Sequence, residues 1–206
     1  MKEFSPVNIN GKKLEFQDNA EHVGIIRSTS GNMPNLLKRI SSHKKAVAAV
    51  LCNGLAKHHR GNIAACLKVE QIYGSQVLLS GIGALKLTKT EVGIIEQHNL
   101  ETLRKCMKLI DGTPKPVVYF LAGRLPGTAM IHLKQLSLFG MITRKNDSIL
   151  RIHALNVYCQ ATYSWSWFSQ IRDICMMYQL DHPLAYLNSP MAKQAHKKLV
   201  KCKVLD

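Results

Sequence analysis

Pro34-Asn35-Leu36-Leu37-Lys38-Arg39-Ile40-Ser41-Ser42-His43-Lys44-Lys45-Ala46-Val47-Ala48-Ala49-Val50-Leu51 decides the fold class. At 100° per residue, Leu36, Ile40, Val47, Val50 and Leu51 gather on one face of a helix. Lys38 and Lys45 fall directly opposite, with Arg39 and Lys44 on the flanks. Pro34 suits the first helical position, where its missing N–H would have no intrahelical partner anyway. Such a helix buries one side and offers cations on the other.

Helical signals continue towards the C-terminus. Asn62 to Tyr73 reads as a second helix with Asn62 as N-cap. Thr88-Lys89-Thr90-Glu91 fits a capping box, in which the Thr hydroxyl and the Glu carboxylate each satisfy a backbone N–H of the first turn. The helix it starts places Val92, Ile95, Leu103, Cys106 and Ile110 on one face, and Glu101, Arg104, Lys105 and Lys108 on the other. Asp111-Gly112 is expected to end it, with Pro114 and Pro116 barring continuation. Further helical segments run from Pro126 to Ile142, Asp147 to Tyr158 and Ser164 to Tyr178. Pro183 and Pro190 interrupt the pattern. The last segment, Pro190 to Val204, sets Met191, Ala195, Leu199 and Cys202 against Lys193, Lys197 and Lys201.

The start of the chain reads differently. Residues 7 to 16 alternate around Asn10-Gly11, the pair best suited to a tight hairpin turn that needs positive φ at both central positions. A third short strand is expected over His22 to Arg27. Strands this few and short are marginal alone and resemble the edge of a larger sheet. The expected fold is mainly α, a helical bundle with a small N-terminal β hairpin or three-strand remnant.

The 206 residues suit one large domain or two small ones. A hydrophobic fraction of 46% excludes a wholly disordered chain. No apolar run approaches the ~18 residues of a membrane span, and the polar first ten residues do not read as a signal peptide. A soluble protein of the nucleus or cytoplasm is therefore expected. The six cysteines (Cys52, Cys66, Cys106, Cys159, Cys175 and Cys202) read as free buried thiols rather than a disulfide framework.

Lys and Arg number 28 against 13 Asp and Glu, a formal net charge of +15. The excess is clustered. No acid lies between Glu21 and Glu70, a stretch that holds Arg27, Lys38, Arg39, Lys44, Lys45, Lys57, Arg60 and Lys68. His182 to Leu205 again lacks acids and carries five Lys. Acid-free basic helix faces are the footprint expected for a phosphate backbone. A solvated surface is the plainer reading, and an anionic membrane a weaker one, because the apolar faces are needed for a core. The aromatic group Tyr163, Trp165, Trp167 and Phe168 reads as core packing, with base stacking as the alternative.

Catalytic patterns are missing. No two acidic residues are adjacent, so paired carboxylates for metal-assisted phosphoryl transfer are not visible. There is no phosphate-binding loop motif, and Gly81-Ile82-Gly83 lacks the rest of a dinucleotide fingerprint. Cys52, His58, His59 and Cys66 lack the tight spacing of a zinc finger, and His58 and His59 read as part of the basic surface. His132 and His153 have no visible partner, and no nucleophile elbow is present. No metal, cofactor or catalytic residue is expected.

Seven segments in order resemble a known family. They are His22-Val23-Gly24-Ile25-Ile26-Arg27-Ser28, Arg39-Ile40-Ser41-Ser42-His43, His59-Arg60-Gly61-Asn62, Val77-Leu78-Leu79-Ser80-Gly81, Phe120-Leu121-Ala122-Gly123-Arg124-Leu125-Pro126, Ser166-Trp167-Phe168-Ser169-Gln170-Ile171-Arg172 and His182-Pro183-Leu184. The series, over roughly residues 8 to 206, is similar to the region downstream of the palm in the reverse transcriptase of LINE-type (non-LTR) retrotransposons. The resemblance implies a palm-edge strand remnant over 1–30, a basic thumb-like helical subdomain over 31–112 and a helical linker subdomain over 113–206. Ser80 stands where the family usually has an aromatic, so the resemblance assigns it no role. The family's consecutive catalytic aspartates do not occur.

By resemblance the chain is a carboxy-proximal, non-catalytic piece of an RNA-directed DNA polymerase. The implied partners are the backbone of RNA, DNA or an RNA–DNA hybrid, and the missing palm; no membrane is involved. The expected contacts to phosphate are Lys38, Arg39, Lys44, Lys45, Lys57 and Arg60. The alternative is a helical module that binds protein or self-associates through apolar strand surface around Val7 to Ile26, with no nucleic-acid role. An active polymerase is the third reading, and the absent carboxylates argue against it.

Overall fold

The computed structural model describes residues 8–9, 12–13, 18–22, 25–29, 31–50, 62–145 and 166–205. Helix α1 spans Met33–Val50. Its inward face is set by Leu36, with Asn35 and His43 also buried. Ile40 and Val47 are half-buried beside them. Helix α2, Ile63–Val69, begins at Asn62, whose side chain accepts from the Ala65 N–H. The chain then widens into a π-helical turn, Glu70–Gly74, and resumes as α3, Ser75–Leu79. The expected single helix to Tyr73 is thus a longer, interrupted one. A π turn inserts a residue, and here it turns Glu70 into the interior.

Gly81 takes a left-handed conformation (φ 69°) and starts a 3-10 turn, Ile82–Ala84. Helix α4, Lys89–Met107, opens with the full Thr88–Glu91 capping box. It stops earlier than Asp111-Gly112, because Lys108 adopts the left-handed cap (φ 56°) that a glycine normally supplies. Ile110 is therefore off the helix and exposed rather than on its apolar face. Pro114 and Pro116 do not leave a loop. They lead into α5, Lys115–Ala122, since the first turn of a helix has no use for its N–H groups. Helix α6 spans Gly127–Thr143, and α7 spans Trp167–Met177 with Ser166 as its cap. Pro183 likewise opens a short helix, α8, Pro183–Asn188, and α9 spans Lys193–Leu205.

Among the described residues the β structure is two separate two-stranded ladders. Strands β1 (Asn8–Ile9) and β2 (Lys12–Lys13) pair antiparallel, Ile9 opposite Lys12. The turn pair Asn10-Gly11 lies outside the described residues. The single strand expected over His22 to Arg27 is instead β3 (Asn19–His22) paired with β4 (Ile25–Ser28). Four residues per strand suffice because β4 leans on α1, where Asn35 accepts from the Ile26 N–H at 3.4 Å. The segment expected to be helical over Asp147 to Tyr158 is also outside the described residues.

Among the described residues three apolar clusters make the core. One joins Leu36, Leu78, Leu79, Ile82, Ile95 and Ile131. A second joins Leu100, Leu103, Met107, Val118 and Tyr119. The third joins Leu136, Phe139, Phe168, Ile171, Leu187 and Val200. Helix α6 supplies both Ile131 and Phe139, so it is the shared spine of the helices before and after it. Side chains of α6 and α7 together hold the segment 82–87. Gln135 Nε2 donates to Leu85 O at 3.0 Å, and Trp167 Nε1 to Gly83 O at 2.8 Å. Gln170 donates to Leu87 O and accepts from its N–H, both at 3.1 Å. Gly83 allows the approach: a Cβ there would stand 2.9 Å from the Lys134 carbonyl oxygen.

Four cysteines are described. Cys66, Cys106 and Cys175 are free and buried, and Cys202 is free but exposed. The expected apolar side of the last helix is rotated. His196, Val200 and Val204, spaced by four, form the buried stripe, which leaves Ala195 and Cys202 in solvent. Among the described residues no helix is long and apolar enough to cross a membrane.

Candidate nucleic-acid interface

Three buried groups set how α1 presents its cations. Glu70, 3% exposed, sits in the π turn. Its Oε2 accepts from Arg124 Nη2 at 2.8 Å, and its Oε1 accepts from the Ser75 hydroxyl at 2.8 Å. His43 Nε2 lies 3.6 Å from the same Oε1, too far for a hydrogen bond but close enough to feel its charge. His43 Nδ1 meets His98 Nε2 on α4 at 2.8 Å. One ring must donate and the other accept, so that bond requires at least one neutral imidazole. Burial pushes Glu70 upward, but the neighbouring His43, Ser75 and Arg124 outweigh it and hold the carboxyl below its usual value. Burial, aided by the charges of His43 and Lys44, lowers His98 to about 4.

With His43 turned inward, the opposite side of α1 is solvent. Lys38, Ser41, Ser42, Lys44, Lys45, Ala48 and Ala49 are exposed. Lys44 and Lys45 carry no ion pair among the described residues. Lys38 is different. Its ammonium binds Glu21 of β3 at 2.6 Å. The first acid-free stretch begins one residue after Glu21, and the hairpin brings that carboxylate back onto the basic face. Arg39 is also different. It is half-buried, its guanidinium lies over Gly81, and burial lowers its pKa. A guanidinium so far above neutral pH remains charged. Lys57 and Arg60 lie outside the described residues, as do His58, His59, Cys52 and Cys159. Of the six expected phosphate contacts, the fold therefore places Lys44 and Lys45 together and unpaired, ties Lys38 to a carboxylate and turns Arg39 inward.

A second cationic surface is formed by α9, where Lys193, Lys197, Lys198 and Lys201 are exposed. Ammonium groups on short helical stretches are donors only, matched to phosphate oxygens as point charges. Among the described residues, no three His, Cys, Asp or Glu side chains gather as a metal site. Burial holds the Cys106 thiol at about 11 and Cys175 at about 12, so neither is a ready nucleophile at neutral pH. His132 has a partner after all: its Nδ1 meets the Tyr178 hydroxyl at 2.9 Å. Trp167 and Phe168 pack edge to face at 5.1 Å, and the Trp167 indole N–H is engaged by Gly83 O. Tyr163 and Trp165 are outside the described residues.

The buried Glu70–Arg124 pair escaped the sequence reading. Its only local trace was a single acid in the middle of an otherwise apolar helical pattern, 54 residues from its cation. No family model, curated protein or solved structure matches the chain.

Proposed function

We propose that the chain binds nucleic acid through the sugar–phosphate backbone, without reading sequence and without catalysing a reaction. The observation that supports this best is the α1 stripe, where Lys44 and Lys45 are exposed, unpaired and held outward by the buried His43. Such contacts position a duplex but carry no base information. The resemblance to the thumb and linker of LINE-type reverse transcriptases names the same substrate: a template–primer held for a polymerase whose catalytic carboxylates are on another part of the protein. A nuclear or cytoplasmic location follows from that reading.

Fluorescence anisotropy of a short RNA–DNA hybrid at several salt concentrations tests it. Each phosphate contact adds about −0.9 to the slope of log K against log salt on duplex DNA. Lys44→Glu/Lys45→Glu should flatten that slope by about 2 while leaving circular dichroism unchanged. An unchanged slope in the folded variant, or no binding by the wild type, overturns the reading.

One observation favours a second reading, a protein-interaction module. Phe120 is 85% exposed on α5, and Val117 and Leu121 of the same helix are exposed with it. Apolar side chains grouped in solvent are typical of contact surfaces. Concentration-dependent association that Phe120→Asp abolishes, in a protein that ignores the hybrid, selects this reading instead.

A further inference from the structure

The packing of segment 82–87 against α6 leaves an open groove of about 820 Å³ between α3, the 3-10 turn, α6 and the start of α9. Four cations line it: Lys134, Arg144, Lys145 and Lys193. Among the described residues no acidic side chain is in the lining, and none of the four pairs with a carboxylate. Three of them come from α6 and its C-terminal end, and Lys193 comes from α9.

Two details make this more than a patch of surface lysines. First, Arg144 Nη1 is buried and has no hydrogen-bond partner among the described residues. A buried guanidinium N–H without an acceptor is unfavourable, and because Arg144 also lines the groove, a turn of its side chain would let an anion there supply one. Second, the wall opposite is rigid. Gln135, Trp167 and Gln170 bind the backbone of 83, 85 and 87, and Gly83 lies against the Lys134 carbonyl, so the groove keeps its shape when empty. Lys134 also reaches across it to Gln76 Oε1 at 3.0 Å, a neutral acceptor that leaves its charge uncompensated.

The dimensions indicate the kind of anion. From Lys134 to Arg144 the helix rises about 15 Å at its standard pitch. One phosphate cannot span that, whereas a run of them can. We infer that this groove binds consecutive phosphate groups, on a polyphosphate chain or a sugar–phosphate backbone, at a site separate from the lysine stripe of α1. Arg144, Lys145 and Lys193 grip the run at one end and Lys134 at the other. The floor between them, which includes Leu79 and Met141, offers no competing charge.

Tripolyphosphate and a fluorescent ten-nucleotide single-stranded RNA serve as probes on the full chain. Calorimetry reads the first and anisotropy the second. Lys145→Glu/Lys193→Glu alters only exposed side chains, and Arg144→Lys keeps the charge while removing the fork. The expected result is tripolyphosphate binding that falls by at least about tenfold in the double variant, from losing two charge-assisted contacts, and measurably in Arg144→Lys. Lys44→Glu/Lys45→Glu should leave it unaltered. Competition then identifies the natural source: RNA displaced by tripolyphosphate indicates a backbone in the groove, and RNA bound alongside it indicates a free phosphate compound. Tripolyphosphate that does not bind, or binds the folded double variant as well as the wild type, overturns the inference. Failure of hybrid binding alone would remove the proposed function of the α1 stripe and leave the groove standing.

Discussion

Replacing Arg124 by Met should leave the buried Glu70 carboxylate without its guanidinium, with only Ser75 and His43 beside it. Arg124 Nη2 donates both to Glu70 Oε2 at 2.8 Å and to Leu67 O at 2.6 Å, and the two side chains are 8% and 2% exposed. Breaking a buried pair from one side costs about 3–5 kcal/mol, because the remaining charge keeps its desolvation penalty and loses its partner. With a urea slope of about 2 kcal/mol per M, the unfolding midpoint should drop by about 2 M. The pH dependence supplies a second readout. In the wild type the Glu70 carboxyl is held low, so its contribution is present above the ordinary carboxyl pKa and disappears as pH falls through the folded value. Without Arg124 the carboxyl loses one of the groups that lower its pKa, so burial pushes it upward and it takes up a proton at higher pH than in the wild type, which relieves the buried charge. The gap between variant and wild type should therefore narrow from pH 8 to pH 5. Glu70→Met/Arg124→Met should recover much of the loss. A midpoint drop below about 0.5 M, equivalent to about 1 kcal/mol at that slope, would refute the reasoning, as would a pH-independent gap.

His98, lowered to about 4 by burial, should make the protein acid-sensitive well above the carboxylate range. The unfolded ring takes up its proton first, so on the order of 2–3 kcal/mol is lost as pH falls from about 6.5 to about 4, and thermal melts of His98→Gln should show a shallower decline there. His132 and His196, also lowered by burial, act in the same direction and should leave a residual slope. Gly83→Ala places a methyl 2.9 Å from the Lys134 carbonyl, an obstacle that is backbone on both sides, and should cost about 1–3 kcal/mol in urea unfolding. Phe120→Ser should leave stability within about 0.5 kcal/mol of wild type, since the ring is 85% exposed; a larger loss in a melt would mean the ring packs on something.

Local chemistry made much of the fold legible. Asn62 and Thr88 cap helices as side chains of that type should, and the alternation of apolar and basic residues on α1 gave its orientation. What escaped depended on distant partners or on backbone choices that several residues can make. Lys108 took the left-handed cap four residues before Gly112 could. Pro116 began a helix where Pro also ends them. The π turn has no signature of its own; it is fixed by Arg124 arriving from 54 residues away. In the candidate interface, Lys44 and Lys45 face solvent as the periodicity required, whereas Lys38 met Glu21 through a hairpin that periodicity does not describe. The groove was not legible at all, because Lys134, Arg144, Lys145 and Lys193 become neighbours only after α6 and α9 meet.

The clamp on segment 82–87 also constrains when the protein is finished. Its bonds from Trp167 and Gln170 span 84 and 83 residues of sequence. Contacts that distant must close a large loop before they return anything, and they form late in folding. During synthesis, α1 to α4 can associate while the chain is still being extended. The rigid wall of the groove cannot, because Trp167 and Gln170 are made 84 and 83 residues after the backbone groups they hold. A ribosome stalled before Trp167 would hold a chain with its lysine stripe displayed and its groove unformed.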